Sequence, residues 1–490
     1  MVFSSAAQRE RVIRYGCGAV VFAVLAAAGL SRLDRVSPYA VAAEGICREL
    51  IEGTTVGRQA LISSVWWPPL PILLRLPAAA LGGSGAGVIP SIVVAAFLGA
   101  ATLLLLERML SLWEAGWIRI GLVAALALHP AFLRACVDGS PLTGVAFAAL
   151  LAIFCLAEWV RTRKLRYLST LSIAAGLLPA FSFELTPWLG LVLLVLGCDT
   201  LFTRATGIKK RATMLLACLP LGYVMGLWAL VSWLIMGDPV YFLRSLRRLD
   251  FWSGPQTVYW VPPATLLWCM APSLLLLLLS LFRRNRAGIV LGIASATPVV
   301  LVVLQLHYQV GWMTAPVAAL AVPSACAAIA FLPAALQLKP AARFGFLAAA
   351  CVGAAIYTAA AYRGPDPLPV ERLPQDSRLR LARIEQHISG RTRYPKVFVC
   401  GYAGFGLLGG HEPHPMFVRN LDLSIAKEKV DYHGHTLYVL LHKPEGRSAM
   451  DSVHWKDEDL FTLGSPSLLY DGDWGDWRLF EIIQAPGGRD

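Results

Sequence analysis

Apolar stretches of about twenty residues recur along most of this chain, and no other feature restricts its fold as strongly. A helix rising about 1.5 Å per residue needs that length to cross a hydrocarbon core of roughly 30 Å. By this measure about eleven spans are expected, centred near Phe22, Leu98, Ala125, Leu150, Ala175, Val192, Met225, Leu274, Val299, Ala321 and Ala350. Only 15% of the residues are charged and the mean hydropathy is +0.60, whereas soluble domains carry roughly 25% charge. The expected class is a polytopic α-helical membrane protein. The first run, 17–30 behind Arg9, Arg11 and Arg14, has the outline of a signal peptide, but the similar segments that follow make it the first membrane helix.

Lysine and arginine number 43 against 31 acids, a net +12. The basic residues fall in short clusters between apolar segments, which is a topological pattern and argues against nucleic acid as a partner. Arg9, Arg11, Arg14, Arg108, the RTRKLR run at 161–166, Arg204, Lys209, Lys210, Arg211, Arg283, Arg284, Arg286, Lys339 and Arg343 flank alternate ends of the spans. The positive-inside rule makes that side cytoplasmic, with the N-terminus, in a plasma or inner membrane. The loops with Asp34, Asp138, Glu184, Asp238 and His307 then face outward, and an odd number of spans puts the tail outside as well.

Arg32, Arg35, Arg48, Arg58, Arg75, Arg134, Arg244, Arg247 and Arg248 lie in outer loops, against this bias. Arginine snorkels at membrane boundaries, which is one account of them. The other is that some grip a lipid phosphate, for which a bidentate fork is suited. RSLRRLD at 244–250 is the strongest phosphate candidate. Most of the ten cysteines sit in apolar runs and behave as small hydrophobes. Cys47, Cys136 and Cys400 do not, so a Cys47 to Cys136 bridge is conceivable, although spacing alone does not establish it.

Residues 1–363 thus form a membrane domain with a large first outer loop, 31–85. Residues 364–375, rich in proline and charge, read as a linker. Residues 376–490 read as a small extracytoplasmic α/β domain. Its expected parts are a helix over 376–389 capped by Asp376, buried strands at KVFVC and TLYVLLH, a Gly-rich turn at GYAGFG and a closing strand at WRLFEII. GYAGFGLLGG lacks both the GxGxxG register and a GK[ST] ending, so it is not read as a nucleotide loop. His411, His414, His433, His435 and His442 read as surface histidines more readily than as metal ligands.

The stretch 31–77 interrupts the apolar pattern with Asp34, a helix-like run at 38–51 and the knot Trp66, Trp67, Pro68, Pro69. Asp34, Tyr39 and RELIEG, then WWPPLPILLRLP, resemble the first outer loop of the membrane-embedded GT-C glycosyltransferases, in the branch with protein mannosyltransferases and the lipid A aminoarabinose transferase. HPAFLRACVDGSPLTG through SFELTPW is similar to that family's block of the third to fifth spans, with Asp138 and Glu184 in its acidic places. MGDPVYFLRSL is similar to its G-[ND]-P-x-x-F-[LI] loop. Where many relatives carry a second acid this chain has Arg35, leaving one carboxylate as base.

The resemblance implies inverting transfer of a sugar from a polyprenyl-phosphate carrier to a glycan, lipid or protein acceptor, among membrane lipids. Asp34 would be the base; its plainer reading is an interfacial acid paired with Arg32 or Arg35. Asp138 would orient or contact the acceptor or bind a metal; equally, DGSP is an ordinary turn before a helix. Glu184 at membrane depth is costly unless it faces a cavity or pairs with an arginine. Arg75, Arg244, Arg247 and Arg248 would hold the donor phosphate. Tyr39, Glu44, Trp66, Trp67, Glu184 and His307 would line the substrate cavity, although outer aromatics more often form an interface belt. No cofactor is assigned, and a divalent cation (Mg or Mn) is the one candidate. A transporter or flippase of lipid-linked sugars would be expected to show internal repeats, and none is visible. A membrane-anchored binding or scaffold protein is the third class.

Overall fold

The computed structural model describes residues 6–33, 36–65, 67–82, 87–111, 116–201, 207–244, 263–285, 288–297, 328–329, 339–361, 373–392, 394–408, 416–421, 435–444, 451, 453–454, 460–463 and 468–482. In chain order the helices before the tail are α1 (Ala6–Leu30), α2 (Pro38–Ile51), α3 (Thr55–Ile62), α4 (Pro69–Gly82), α5 (Ile89–Ser111), α6 (Gly116–Ala127), α7 (Pro130–Val137), α8 (Leu142–Thr162), α9 (Leu165–Phe181), α10 (Thr186–Leu201), α11 (Gly207–Met236), α12 (Pro263–Phe282), α13 (Gly288–Thr297) and α14 (Pro340–Ala361). The tail adds α15 (Leu373–Ser389), β1 (Pro395–Cys400), α16 (Tyr402–Leu408), β2 (Phe417–Asn420), β3 (Thr436–His442), α17 (Leu460–Leu463), β4 (Leu468–Trp474) and β5 (Trp477–Ile482).

The chain separates into two compact units. The first comprises Met1–Arg32, Ile92–Leu227 and Thr257–Pro369; the second comprises Leu33–Ser91, Trp228–Gln256 and Val370–Asp490. The second therefore joins the first long loop to the tail, although they lie far apart in sequence.

Among the described residues, four helices are long and apolar enough to cross a membrane: Val12–Leu30, Ile89–Ser111, Leu142–Thr162 and Lys209–Met236. Arg119–Ala127 and Pro130–Val137 make a fifth if their 63° bend lies within one span. The bend has a local cause, since His129 is extended and Pro130 opens α7, ending the hydrogen bonding of α6. The expected centres at Val299 and Ala321 lie outside the described residues; the other nine fall within helices of this set.

Within the first unit, charge gathers at helix ends. Glu107 at the end of α5 pairs with Arg14 of α1 at 2.9 Å and with Arg119 of α6 at 3.2 Å. Arg161 grips Glu158 at 2.9 Å, and Arg163, in left-handed conformation at φ 55°, pairs with Asp199 at 2.7 Å. Part of the basic run at 161–166 thus fastens α8 to itself and to α10.

The tail folds as a mixed five-stranded sheet in the order β2-β1-β3-β5-β4, with β1 parallel to β2 and β3 and the remaining pairs antiparallel. Both faces of its centre are covered. Val397, Val399, Tyr438 and Leu440 meet Ile384 and Ile388 of α15, while Phe398, Cys400, Val439 and Leu441 pack with Val453, Leu460 and Phe480. That double burial is why KVFVC and TLYVLLH are apolar runs without alternation. Two details differ from expectation. Helix α15 starts at Leu373, so Asp376 lies inside it and does not cap it. GYAGFG is not a turn: after Gly401, at φ +81°, the chain enters α16, with the Tyr402 N–H donated to Asp451 Oδ2 at 2.8 Å.

Candidate functional site

The second unit is assembled around α2. Pro38 at its first turn presets the helical φ, and Gly53, at φ +74°, turns the chain out of it into Thr54. Thr54 Oγ1 accepts the Gly57 N–H at 3.1 Å and so caps α3. Ala40, Ala43, Ile46 and Cys47 are wholly buried, and α2 packs on α4 and α16. Contact with α16 is backbone-close, because a Cβ on Gly45 would stand 3.1 Å from the Phe405 carbonyl oxygen.

A column of rings runs through this packing. Tyr402 stacks on Trp67 with centroids 4.7 Å apart and planes at 5°. Trp67 stacks on Tyr39 at 4.9 Å and 9°. The guanidinium carbon of Arg75 lies 5.2 Å from the Tyr39 centroid, completing a cation–π contact. Arg75 is 1% exposed, so its charge sits within the packing and not on an open surface.

Glu44 and Cys47 share this environment. Burial pushes the Glu44 carboxyl up to about 7, opposed by the charges of Arg75 and then Arg48. Among the described residues, no hydrogen-bond donor reaches Glu44 Oε2. Burial, then Glu44, pushes the Cys47 thiol up to about 12, and its Sγ lies 3.5 Å from the Ile72 carbonyl oxygen. Cys47 and Cys136 are both free thiols, so the conceivable bridge is absent.

The column is anchored at its Tyr402 end. The hydroxyl donates to the Ala60 carbonyl at 2.6 Å and lies 2.7 Å from Ser63 Oγ. With its one proton committed to Ala60, it accepts from Ser63. Burial raises this phenol well above its ordinary range, so it remains a neutral donor. A second tie joins the same parts: Arg419 of β2 pairs with Glu49 at 2.7 Å, and Thr54 Oγ1 donates to Glu49 Oε2 at 2.7 Å.

No family model and no curated protein sequence matches this chain. By structure it is similar to ArnT from Cupriavidus metallidurans bound to undecaprenyl phosphate, with a TM-score of 0.50 and 14% identity over 99% of this chain and 100% of that one. The chain has an ArnT-like fold. ArnT from the same organism in the apo state is also similar, at a TM-score of 0.47 and 15% identity over 97% of this chain and 98% of that one. The GT-C architecture implied by the sequence motifs is the one observed.

On this ArnT-like scaffold, four of the residues proposed from sequence come together: Arg75, Tyr39, Glu44 and Trp67 share the column and its surroundings. Arg244, in the second unit but outside the column, is half-exposed, pairs with Asp238 and lies 5.7 Å from the Tyr241 centroid. Asp238 Oδ1 also accepts the Val240 N–H at 3.0 Å, which fixes the Gly-Asp-Pro turn.

Asp138 belongs to the first unit, where it closes α7. It is buried, and its Oδ1 accepts the Ser140 N–H at 2.8 Å, so the ordinary turn expected of DGSP is present. Glu184 lies in the 3₁₀ turn Phe183–Leu185 between α9 and α10, with its side chain outside the described set. Asp34, Trp66, Arg247, Arg248, His307 and His433 lie outside the described residues. Among the described residues, no group of three or more His, Cys, Asp or Glu side chains is placed to hold a metal ion.

Sequence reasoning missed Tyr402, Ser63, Glu49 and Arg419. Tyr402 is separated from Ser63 by 339 positions, and no local pattern reports a contact of that range.

Proposed function

We propose that the chain is an integral-membrane glycosyltransferase that moves a sugar from a polyprenyl-phosphate carrier to an acceptor at the outer membrane face. The observation that carries this reading is the ArnT-like fold over nearly the whole chain, since a solved protein with that fold is bound to undecaprenyl phosphate. The buried Arg75 among aromatic rings agrees with it, because a cation held away from water acts more strongly on a phosphate than one in bulk solvent.

In the proposed reaction the acceptor hydroxyl oxygen attacks the anomeric carbon and forms the new glycosidic bond with inversion. The bond from that carbon to the phosphate oxygen breaks, its electron pair leaves on the polyprenyl phosphate, and the acceptor proton passes to a carboxylate. Asp34 is the proposed base and Asp138 the proposed acceptor-orienting carboxylate. Arg75, Arg244, Arg247 and Arg248 are proposed to offset the charge that grows on the departing phosphate. The acceptor is a glycan, a lipid or a protein, and a divalent cation is an optional participant. The N-terminus is cytoplasmic in this reading, and the tail lies outside.

The test uses the full chain in detergent, supplied with polyprenyl-phosphate sugars and candidate acceptors. Asp34→Asn is expected to lower transfer by about 10²- to 10⁴-fold while the protein keeps its unfolding temperature. Full activity in that variant removes Asp34 as base.

A further inference from the structure

We infer that Tyr402, contributed by the C-terminal α/β domain, is a positioning residue for the donor site: it sets the first long loop and, through two stacked rings, the charge of Arg75. This rests on the transferase reading, in which the loop carries the donor-phosphate cation.

Tyr402 meets the loop in two independent ways. Its hydroxyl spans the last turn of α3, donating to Ala60 O and accepting from Ser63, so it fixes where the chain leaves that helix before Trp67. Its ring lies flat on Trp67, whose other face carries Tyr39, under the Arg75 guanidinium. Neighbouring ring planes in the series lie within 9° of parallel.

Tyr402 is itself rigidly held. Its N–H is bound by the buried Asp451, and α16 lies so close to β1 that a Cβ on Gly404 would stand 2.8 Å from the Val399 carbonyl oxygen. The sheet is the fixed body, Tyr402 the contact and the loop the part that is set. A phenol only filling space would not need both a saturated hydroxyl and a parallel stack. Burial keeps the phenol neutral, so its donor role holds across the working pH range.

The experiment measures two quantities on the full chain: the Kd for undecaprenyl phosphate alone, and kcat and KM for the lipid-linked sugar. The variants are Tyr402→Phe, which keeps the ring and loses the hydroxyl contacts, Tyr402→Leu, which loses the stack, Arg75→Lys, and each Tyr402 change combined with Arg75→Lys. Tyr402→Phe is expected to raise Kd and donor KM roughly fivefold, as for one lost buried hydrogen bond, with kcat within about twofold. Tyr402→Leu should raise them further. In the Arg75→Lys background both effects should largely vanish, because the group being positioned has been replaced.

Unchanged Kd and KM in both Tyr402 variants overturn the inference. So do effects that persist undiminished beside Arg75→Lys, or a fall in unfolding temperature with Kd intact, since these mark a structural role alone. Wild-type protein that binds undecaprenyl phosphate but transfers no sugar sinks the transferase reading and leaves the Kd series to decide on Tyr402. Absence of binding in wild type overturns both.

Discussion

Glu44 is the residue where burial and charge are most openly opposed. Its carboxyl is raised from 4.5 to about 7, with desolvation outweighing the attraction of Arg75 and Arg48. The unfolded chain releases this proton near pH 4.5, whereas the folded chain retains it until about 7. Between those values the folded state binds more protons, so Glu44 makes stability fall as pH rises through the window. Glu44→Gln is expected to remove that slope. Relative to wild type its unfolding temperature should be about 2–4 °C higher at pH 8 and little changed near pH 4.5, measured by thermal melts across pH in one detergent. An equal shift at both pH values would mean that Glu44 is not the titrating group.

At the residue scale, local reading succeeded where the chemistry is intrinsic to the position. An acid at DGSP closes a turn because a short carboxylate reaches the N–H two residues on, and Asp138 does so at 2.8 Å. Local reading named Arg75 as a phosphate ligand but had no means of showing that Tyr39 covers it. Burial depends on neighbours that the local pattern does not contain.

Among the elements, α16 is the one whose identity the sequence concealed. Glycines in GYAGFG suggest a turn, and glycine is a poor helix former. The tertiary structure uses Gly404 differently, as the position where α16 approaches β1. Gly404→Ala, harmless in an isolated helix, is therefore expected to destabilise the tail by about 1–3 kcal/mol, because its Cβ would stand 2.8 Å from Val399 O. Equilibrium unfolding of the variant checks this, and a gain in stability would contradict the close approach. Strands β1 and β3 were legible for the opposite reason: apolar runs of strand length have few other places to go than the centre of a covered sheet.

For the whole molecule, the contact of the first long loop with the tail constrains topology. Tyr402 touches Ala60 and Ser63 directly, and Arg419 touches Glu49, so loop and tail lie on one side of the membrane. The proposed topology, with loop and tail both outside, requires an even number of crossings between Ser91 and Val370. In a cysteine-free background, single cysteines at the exposed Gly53 and Leu379 should react with a membrane-impermeant thiol reagent from the same side, and one at Lys164 from the opposite side. Labelling of Gly53→Cys and Leu379→Cys from opposite sides would break the assembly described.

The sequence by itself determined that this chain enters a membrane, the approximate position of most of its apolar helices, and the existence of a small α/β tail. Hydrophobic length and period are local properties of consecutive residues, so they can be read without neighbours. Only the tertiary structure decided that the first long loop and the tail form one unit around a column of Arg75, Tyr39, Trp67 and Tyr402. The contacts of Tyr402 with Trp67 and Ala60 join residues more than three hundred positions apart in sequence. Desolvation, stacking and shared hydrogen bonds depend on distance in space, which no local periodicity records.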